Sequence, residues 1–239
     1  MRDLITSCLI LSASCILFIS PVKGQPLQQD SSVRLAREHA ASLYHSYLGG
    51  QSALYSGIAH LTYDPTLHGT PYFQADETAR GNVLYDGIQY SNVPMLYDLV
   101  RDQLVVADPT GYLICLYSPR VHDFTLRDHH FILASREGTP EFYDLLCTGT
   151  FTILAKRTKR IDETIVAMEI DRSVSGKDFF YAVRDGNYHS VSNQRSLLLL
   201  MADKKKAIRQ FIHSNHIRFR KDPEQAIIKI TGYYNQLSQ

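Results

Sequence analysis

The sequence is poor in cysteine. Four occur in 239 residues, at Cys8, Cys15, Cys115 and Cys147. None are spaced as Cys-x-x-C, so thioredoxin chemistry and a zinc ribbon have no support. Asn-x-Ser/Thr is missing as well, which removes N-glycosylation. There is no His-Glu-x-x-His, no glycine-rich phosphate loop and no nucleophile elbow. Beyond Ile19 no apolar run approaches the roughly 20 residues that a membrane-spanning helix requires. Charge of one sign is also lacking: 25 Lys and Arg stand against 24 Asp and Glu, a formal net charge of +1. No global field steers the chain toward one kind of partner.

What is present begins at Met1-Arg2-Asp3, followed by an apolar run from Leu4 to Ile19 and small residues at Val22 and Gly24. A basic start, a short apolar core and a small-residue exit are the parts of a secretory signal peptide. Residues 1–24 are therefore expected to be a cleaved signal, and the mature protein to be secreted across the inner membrane. A lipoprotein reading would acylate Cys15, but apolar residues continue past it, which a lipid-anchoring cysteine should not permit. Loss of residues 1–24 removes Arg2, Lys23 and Asp3, leaving a formally neutral chain. It also removes Cys8 and Cys15. Cys115 and Cys147 remain, either as a disulfide in an oxidising compartment or as two unpaired buried thiols.

Residues 31–48 place Val33, Ala36, Ala40, Leu43, Tyr44 and Tyr47 at helical spacing, with Ser31 or Ser32 as a cap and Gly49-Gly50 as a stop. From about residue 55 the texture changes. Short apolar, tyrosine-rich runs are split by Asp86-Gly87, Asp108-Pro109-Thr110-Gly111, Arg127-Asp128, Thr148-Gly149 and Asp185-Gly186. Turns at this rhythm describe an antiparallel meander. In Tyr112–Tyr117 both alternating faces are apolar, which calls for cover on both sides. After residue 192 the helical period returns. Ile208, Phe211 and Ile212 share one stripe, and Asp222-Pro223-Glu224 is a helix start ahead of Ile227, Ile230, Tyr234 and Leu237.

The expected fold class is α+β: an antiparallel β-meander, rolled or sandwich-like, with an N-terminal helix and a C-terminal helical segment. Residues 25–191 form the helix and β domain, and 192–239 form the helical segment packed on or beside it. Tyr-Asp recurs at 63–64, 85–86, 97–98 and 143–144. Aspartate shapes turns by bonding its own backbone, and tyrosine suits half-buried strand ends, so these acids read as corners rather than a carboxylate site.

The stretches GNVLYDGIQYSNVPMLYDLVRDQLVV, FYDLLCTGTFTILAKRTKR and YAVRDGNYHSVSNQRSLLLLMADKKKAIRQFIHSNHIRFRKDPEQAIIKITGYYNQL resemble a group of uncharacterised secreted proteins of Bacteroidetes-type bacteria. The resemblance implies a cell-envelope setting, in the periplasm or at the periphery of the outer membrane. It implies no activity and no site residues.

Two groups of residues are candidates for chemistry or contact. His122, Asp123, His129 and His130 could bring imidazole and carboxylate to a metal ion, but adjacent His129 and His130 point to opposite faces of a strand. The second group is basic: Lys156, Arg157, Lys159 and Arg160, then Lys204, Lys205, Lys206 and Arg209, with no acid between Asp203 and Asp222. Local positive patches on a neutral chain suit an anionic partner. The reading is a non-catalytic secreted envelope protein, a binding or interaction module with a basic C-terminal helical face. Its partners would be an envelope protein, anionic lipid headgroups or glycan, not nucleic acid. No cofactor is expected. The alternatives are a hydrolase or metal-dependent enzyme built on the histidine group, and an envelope lipid carrier in which the sheet cups an acyl chain.

Overall fold

The computed structural model describes residues 53–166 and 169–238, together with 35–36 and 39–40. The expected signal segment, and most of the expected helix at 31–48, lie outside the described residues. Among the described residues eleven strands form one antiparallel sheet: β1 (Ile58–Ala59), β2 (Ala79–Tyr85), β3 (Ile88–Asp98), β4 (Gln103–Ala107), β5 (Leu113–Cys115), β6 (Val121–Leu126), β7 (His129–Arg136), β8 (Thr139–Cys147), β9 (Thr152–Val166), β10 (Glu169–Arg184) and β11 (Asn187–Ser190). Helices α1 (Gln194–Leu200), α2 (Lys205–Ser214) and α3 (Pro223–Leu237) follow. No helix among the described residues is long and apolar enough to cross a membrane.

All five quoted turns fall between paired strands. Asp86 and Asp185 take left-handed φ of 52° and 51°, Gly87 and Gly186 follow them at 76° and 77°, and Arg127 is left-handed at 54°. These are the conformations that tight hairpin turns demand. Asp108 accepts from the backbone N–H groups of Thr110 and Tyr112, both at 2.8 Å, which folds the β4–β5 corner on itself.

Strand order across the sheet is β1-β5-β4-β3-β2-β6-β7-β8-β9-β10-β11. The chain runs outward from β2 to β5, then returns to pair β6 with the other edge of β2. Two contacts show how strongly the sheet curves. In a flat sheet β3 and β8 would stand about 19 Å apart, four steps of about 4.8 Å. Yet the Tyr97 ring on β3 meets the Phe142 ring on β8 with centroids 5.9 Å apart. One strand further round, the Lys159 N–H of β9 donates to the Leu99 carbonyl just beyond β3, at 3.2 Å. Bulges on β2 and between β8 and β9 supply part of this bend.

The concave face is filled by rings. Phe124, Phe131 and Phe142 are fully buried with Tyr97, and Phe124 stacks on Phe131 at 4.8 Å. Phe73 packs edge-on to Phe131. A second core lies where the helices cover β8–β10. There Ile153 and Ala182 meet Leu197, Met201, Ile208, Ile212, Ile227, Ile230 and Tyr234. Asn193 caps α1 by accepting from the Ser196 N–H, and Asp222 caps α3 by accepting from the Gln225 N–H. Of the expected stripes of α2 and α3, Ile208, Ile212, Ile227, Ile230 and Tyr234 are buried, and Phe211 and Leu237 are half-buried. Of Tyr112–Tyr117, Ile114 and Leu116 are buried, but Tyr112 and Tyr117 face solvent.

The ribbon formed by β9 and β10 was not expected from the sequence. The two strands pair from Val183↔Thr152 to Glu169↔Val166, while β8 holds β9 only across Ile153–Ala155. Its outer part carries charge beside two apolar cross-strand pairs, Ile161↔Val174 and Ile165↔Ile170. Arg172 Nε lies 2.8 Å from Glu163, and Arg160 Nε 2.9 Å from Asp162.

Candidate functional site

The first basic run divides along β9 into residues enclosed by the fold and one that faces solvent. Arg157 is buried at 6 % exposure and turns toward α3. Its Nη1 reaches Asp178 at 2.6 Å and Glu224, at the start of α3, at 2.5 Å. Its Nε and Nη2 reach Asp144 of β8. Burial works against the guanidinium charge. The bonds to Glu224 and Asp144 outweigh it, so the proton is held more firmly than usual. Lys156 is also buried, 2.7 Å from Asp102 and 3.5 Å from Glu141. Lys159 donates to the carbonyls of Thr70 and Tyr72 at 2.8 and 2.5 Å, and burial lowers its pKa. Only Arg160 stays exposed. Lys156, Arg157 and Lys159 are bound inside the fold and present no open basic face.

The histidine group does not converge. Asp123 faces Leu84 across the β2–β6 pairing and Val121 faces Tyr85, which leaves His122 as the extra, exposed residue of the bulge. His130 Nε2 lies 3.4 Å from Asp123. His129 turns to the other face, where its Nδ1 is 2.7 Å from Asp144 and its ring sits on Phe73. The bond to Asp144 raises the His129 pKa against the effect of burial. Among the described residues no three His, Cys, Asp or Glu side chains are grouped to hold a metal.

The repeated aspartates are not gathered around a hollow either. Asp64 accepts from the Thr66 N–H and hydroxyl, a local turn. Asp98, at the end of β3, is fully buried and accepts from the N–H groups of Val100 and Arg101 and from the Tyr63 hydroxyl. Asp144 corrects the corner reading. It lies within β8, 1 % exposed, as the shared partner of Arg157 and His129.

The second basic run meets different surroundings. Arg195 on α1, with Lys205 and Arg209 on α2, lines an open cleft of about 570 Å³ whose remaining lining is Gln194, Leu198 and Leu199. Leu199 is 61 % exposed. No acid among the described residues lines the cleft. Among the described residues none of Arg195, Lys204, Lys205, Lys206 and Arg209 forms an ion pair, in contrast to Lys156 and Arg157. A second cleft of about 380 Å³, between the end of α2 and the start of α3, is lined by Arg218, Lys221 and Lys229, with Asp222 spent on the α3 cap. Arg195 was not among the sequence candidates, because a lone arginine on a leucine-rich helix carries no signal until the helix beside it is placed.

The disulfide alternative is corrected. Cys115 and Cys147 are both free thiols. Cys115 sits on β5, near one edge of the sheet, while Cys147 ends β8 against the helix-covered core. Sequence reasoning missed the partner of Cys115 altogether. His60 is buried at 7 % exposure, with Nδ1 3.4 Å from Cys115 Sγ and Nε2 2.8 Å from the Tyr72 hydroxyl. No protein family, curated protein or solved structure matches the chain.

Proposed function

We propose that this protein is a non-catalytic binding module of the cell envelope, secreted across the inner membrane, whose contact is the basic face of α1 and α2. The partner is an anionic lipid headgroup. One observation carries the reading: Arg195, Lys205 and Arg209 line one cleft with exposed Leu199 beside them, and among the described residues no acid forms an ion pair with them. Cations held beside apolar side chains suit a surface that offers both phosphate and acyl chain. A free anion would need the cations alone. The carrier alternative has no support in the concave face of the sheet, which aromatic rings occupy. The metal-enzyme alternative rests on a histidine group whose members diverge.

The test is sedimentation of the mature protein with vesicles of phosphatidylglycerol and, separately, of phosphatidylcholine. Binding to the anionic vesicles alone, falling steeply over a tenfold rise in salt, is expected, because exposed charges are screened at about 3 Å in ~1 M salt against about 10 Å in ~0.1 M. Equal binding to both vesicles, or binding to neither, overturns the proposal.

A further inference from the structure

We propose that Cys115 is a thiol-exchange site, activated by His60, that takes up small carboxylate-bearing disulfides as mixed disulfides. Three observations support it. Cys115 Sγ lies 3.4 Å from His60 Nδ1, within hydrogen-bonding range for sulfur. The other ring nitrogen is engaged at 2.8 Å by Tyr72, which fixes the imidazole. Cys115 also lines an open cleft of about 620 Å³ together with Gly57, Leu61, Arg101, Gln103 and Tyr117.

The pair is built as thiol and base. Burial raises the Cys115 pKa and lowers that of His60, so both rest uncharged at neutral pH. With the ring proton on Nε2, directed to the Tyr72 oxygen, Nδ1 is free to accept. This is the arrangement of a nucleophile beside a positioned base. Close approach of the backbone keeps the site compact: a Cβ at Gly57 would collide with the Cys115 carbonyl. Arg101 lines the same cleft, stacked over Tyr63 with its guanidinium carbon 4.2 Å from the ring centroid, while its Nη1 donates to the Leu61 carbonyl at 2.7 Å and lies 3.6 Å from Asp98. A carboxylate on the incoming disulfide would meet that guanidinium.

The step balances without an external oxidant. The Cys115 proton passes to His60 Nδ1 as the sulfur attacks one sulfur of the disulfide. The disulfide's S–S bond breaks, and the departing thiolate takes the proton from His60. The products are a mixed disulfide on Cys115 and one equivalent of small thiol.

The experiment incubates the native protein with oxidised glutathione and follows adducts at Cys115 and Cys147 by mass spectrometry. Cys115 is expected to react at least about tenfold faster than Cys147, and His60→Gln to slow it by about tenfold or more while leaving Cys147 unchanged. Tyr72→Phe, which removes only a hydroxyl, should slow Cys115 by a smaller factor. Cys115 reacting no faster than Cys147 in the wild-type protein overturns the proposal, and that comparison stands even where a variant fails to fold. An unchanged Cys115 rate in folded His60→Gln overturns it as well.

Discussion

Arg157 Nε and Nη2 both donate to one oxygen of Asp144, at 3.1 and 2.6 Å, where β8 and β9 lie side by side. The same oxygen is 2.7 Å from His129 Nδ1. The pair sits between two cores, the aromatic one under β2–β8 and the one the helices cover. Through Glu224 it also ties the start of α3 to the sheet. A cluster so enclosed is a joint in the fold.

Arg157→Met should therefore be strongly destabilising. It leaves buried Asp144 with His129 alone and removes the partner of Asp178 and Glu224. Breaking a buried pair from one side costs about 3–5 kcal/mol. Urea denaturation of wild type and variant measures it. A loss below about 1 kcal/mol, the range of an exposed pair, would show that the cluster is not a structural joint.

His129 gives the joint a pH dependence with a definite sign. Its folded-state pKa is raised, chiefly by the bond to Asp144. The stabilisation is complete below the ordinary histidine value of about 6.5 and is lost as pH rises through the folded pKa. His60 has the opposite sign, because burial lowers its pKa: its contribution is present above about 6.5 and falls as pH drops below that value. The difference in unfolding free energy between wild type and His129→Gln isolates the first effect. It should shrink as pH rises above about 6.5, and a difference that stays flat or grows contradicts the assignment.

Two glycines should respond in opposite directions to the same change. A Cβ at Gly81 on β2 would collide with the Thr125 carbonyl oxygen of β6, and neither backbone can move without breaking the pairing. Gly232 lies inside α3 with nothing within 4 Å of an added Cβ. Gly81→Ala should lower the thermal midpoint sharply or prevent folding. Gly232→Ala should raise stability by about 0.5–1 kcal/mol, the usual gain over glycine in a helix.

These residues also show what could be read from the chain and what could not. Asp108 and Asp222 were legible because their partners lie within four residues, and Asp86 because the left-handed turn it makes with Gly87 is itself local. The stripes of α2 and α3 were legible for the same reason. The outer β9–β10 ribbon was not, because RTKRIDETIV and EIDRSVSGKD mix charge with only two apolar pairs, Ile161↔Val174 and Ile165↔Ile170, and the register that sets these opposite one another is not written locally. Arg157 read as an exposed cation in a basic run. Its acids lie 13, 21 and 67 residues away, and only the folded sheet and α3 bring them to it. His60 lies in an irregular segment 55 residues from Cys115, with no periodicity to mark it as buried.

The central claim, that α1 and α2 present a lipid-binding basic face, is tested most directly by comparing two variants on phosphatidylglycerol vesicles. Arg195→Gln/Lys205→Gln/Arg209→Gln removes the three cations of the cleft, while Arg160→Gln removes an exposed cation on the β9–β10 ribbon. At about 1 kcal/mol for each cation near an anionic surface, the triple variant should bind about a hundredfold more weakly, with a shallower salt dependence. Arg160→Gln should bind as wild type does. A triple variant that keeps wild-type affinity would contradict the account.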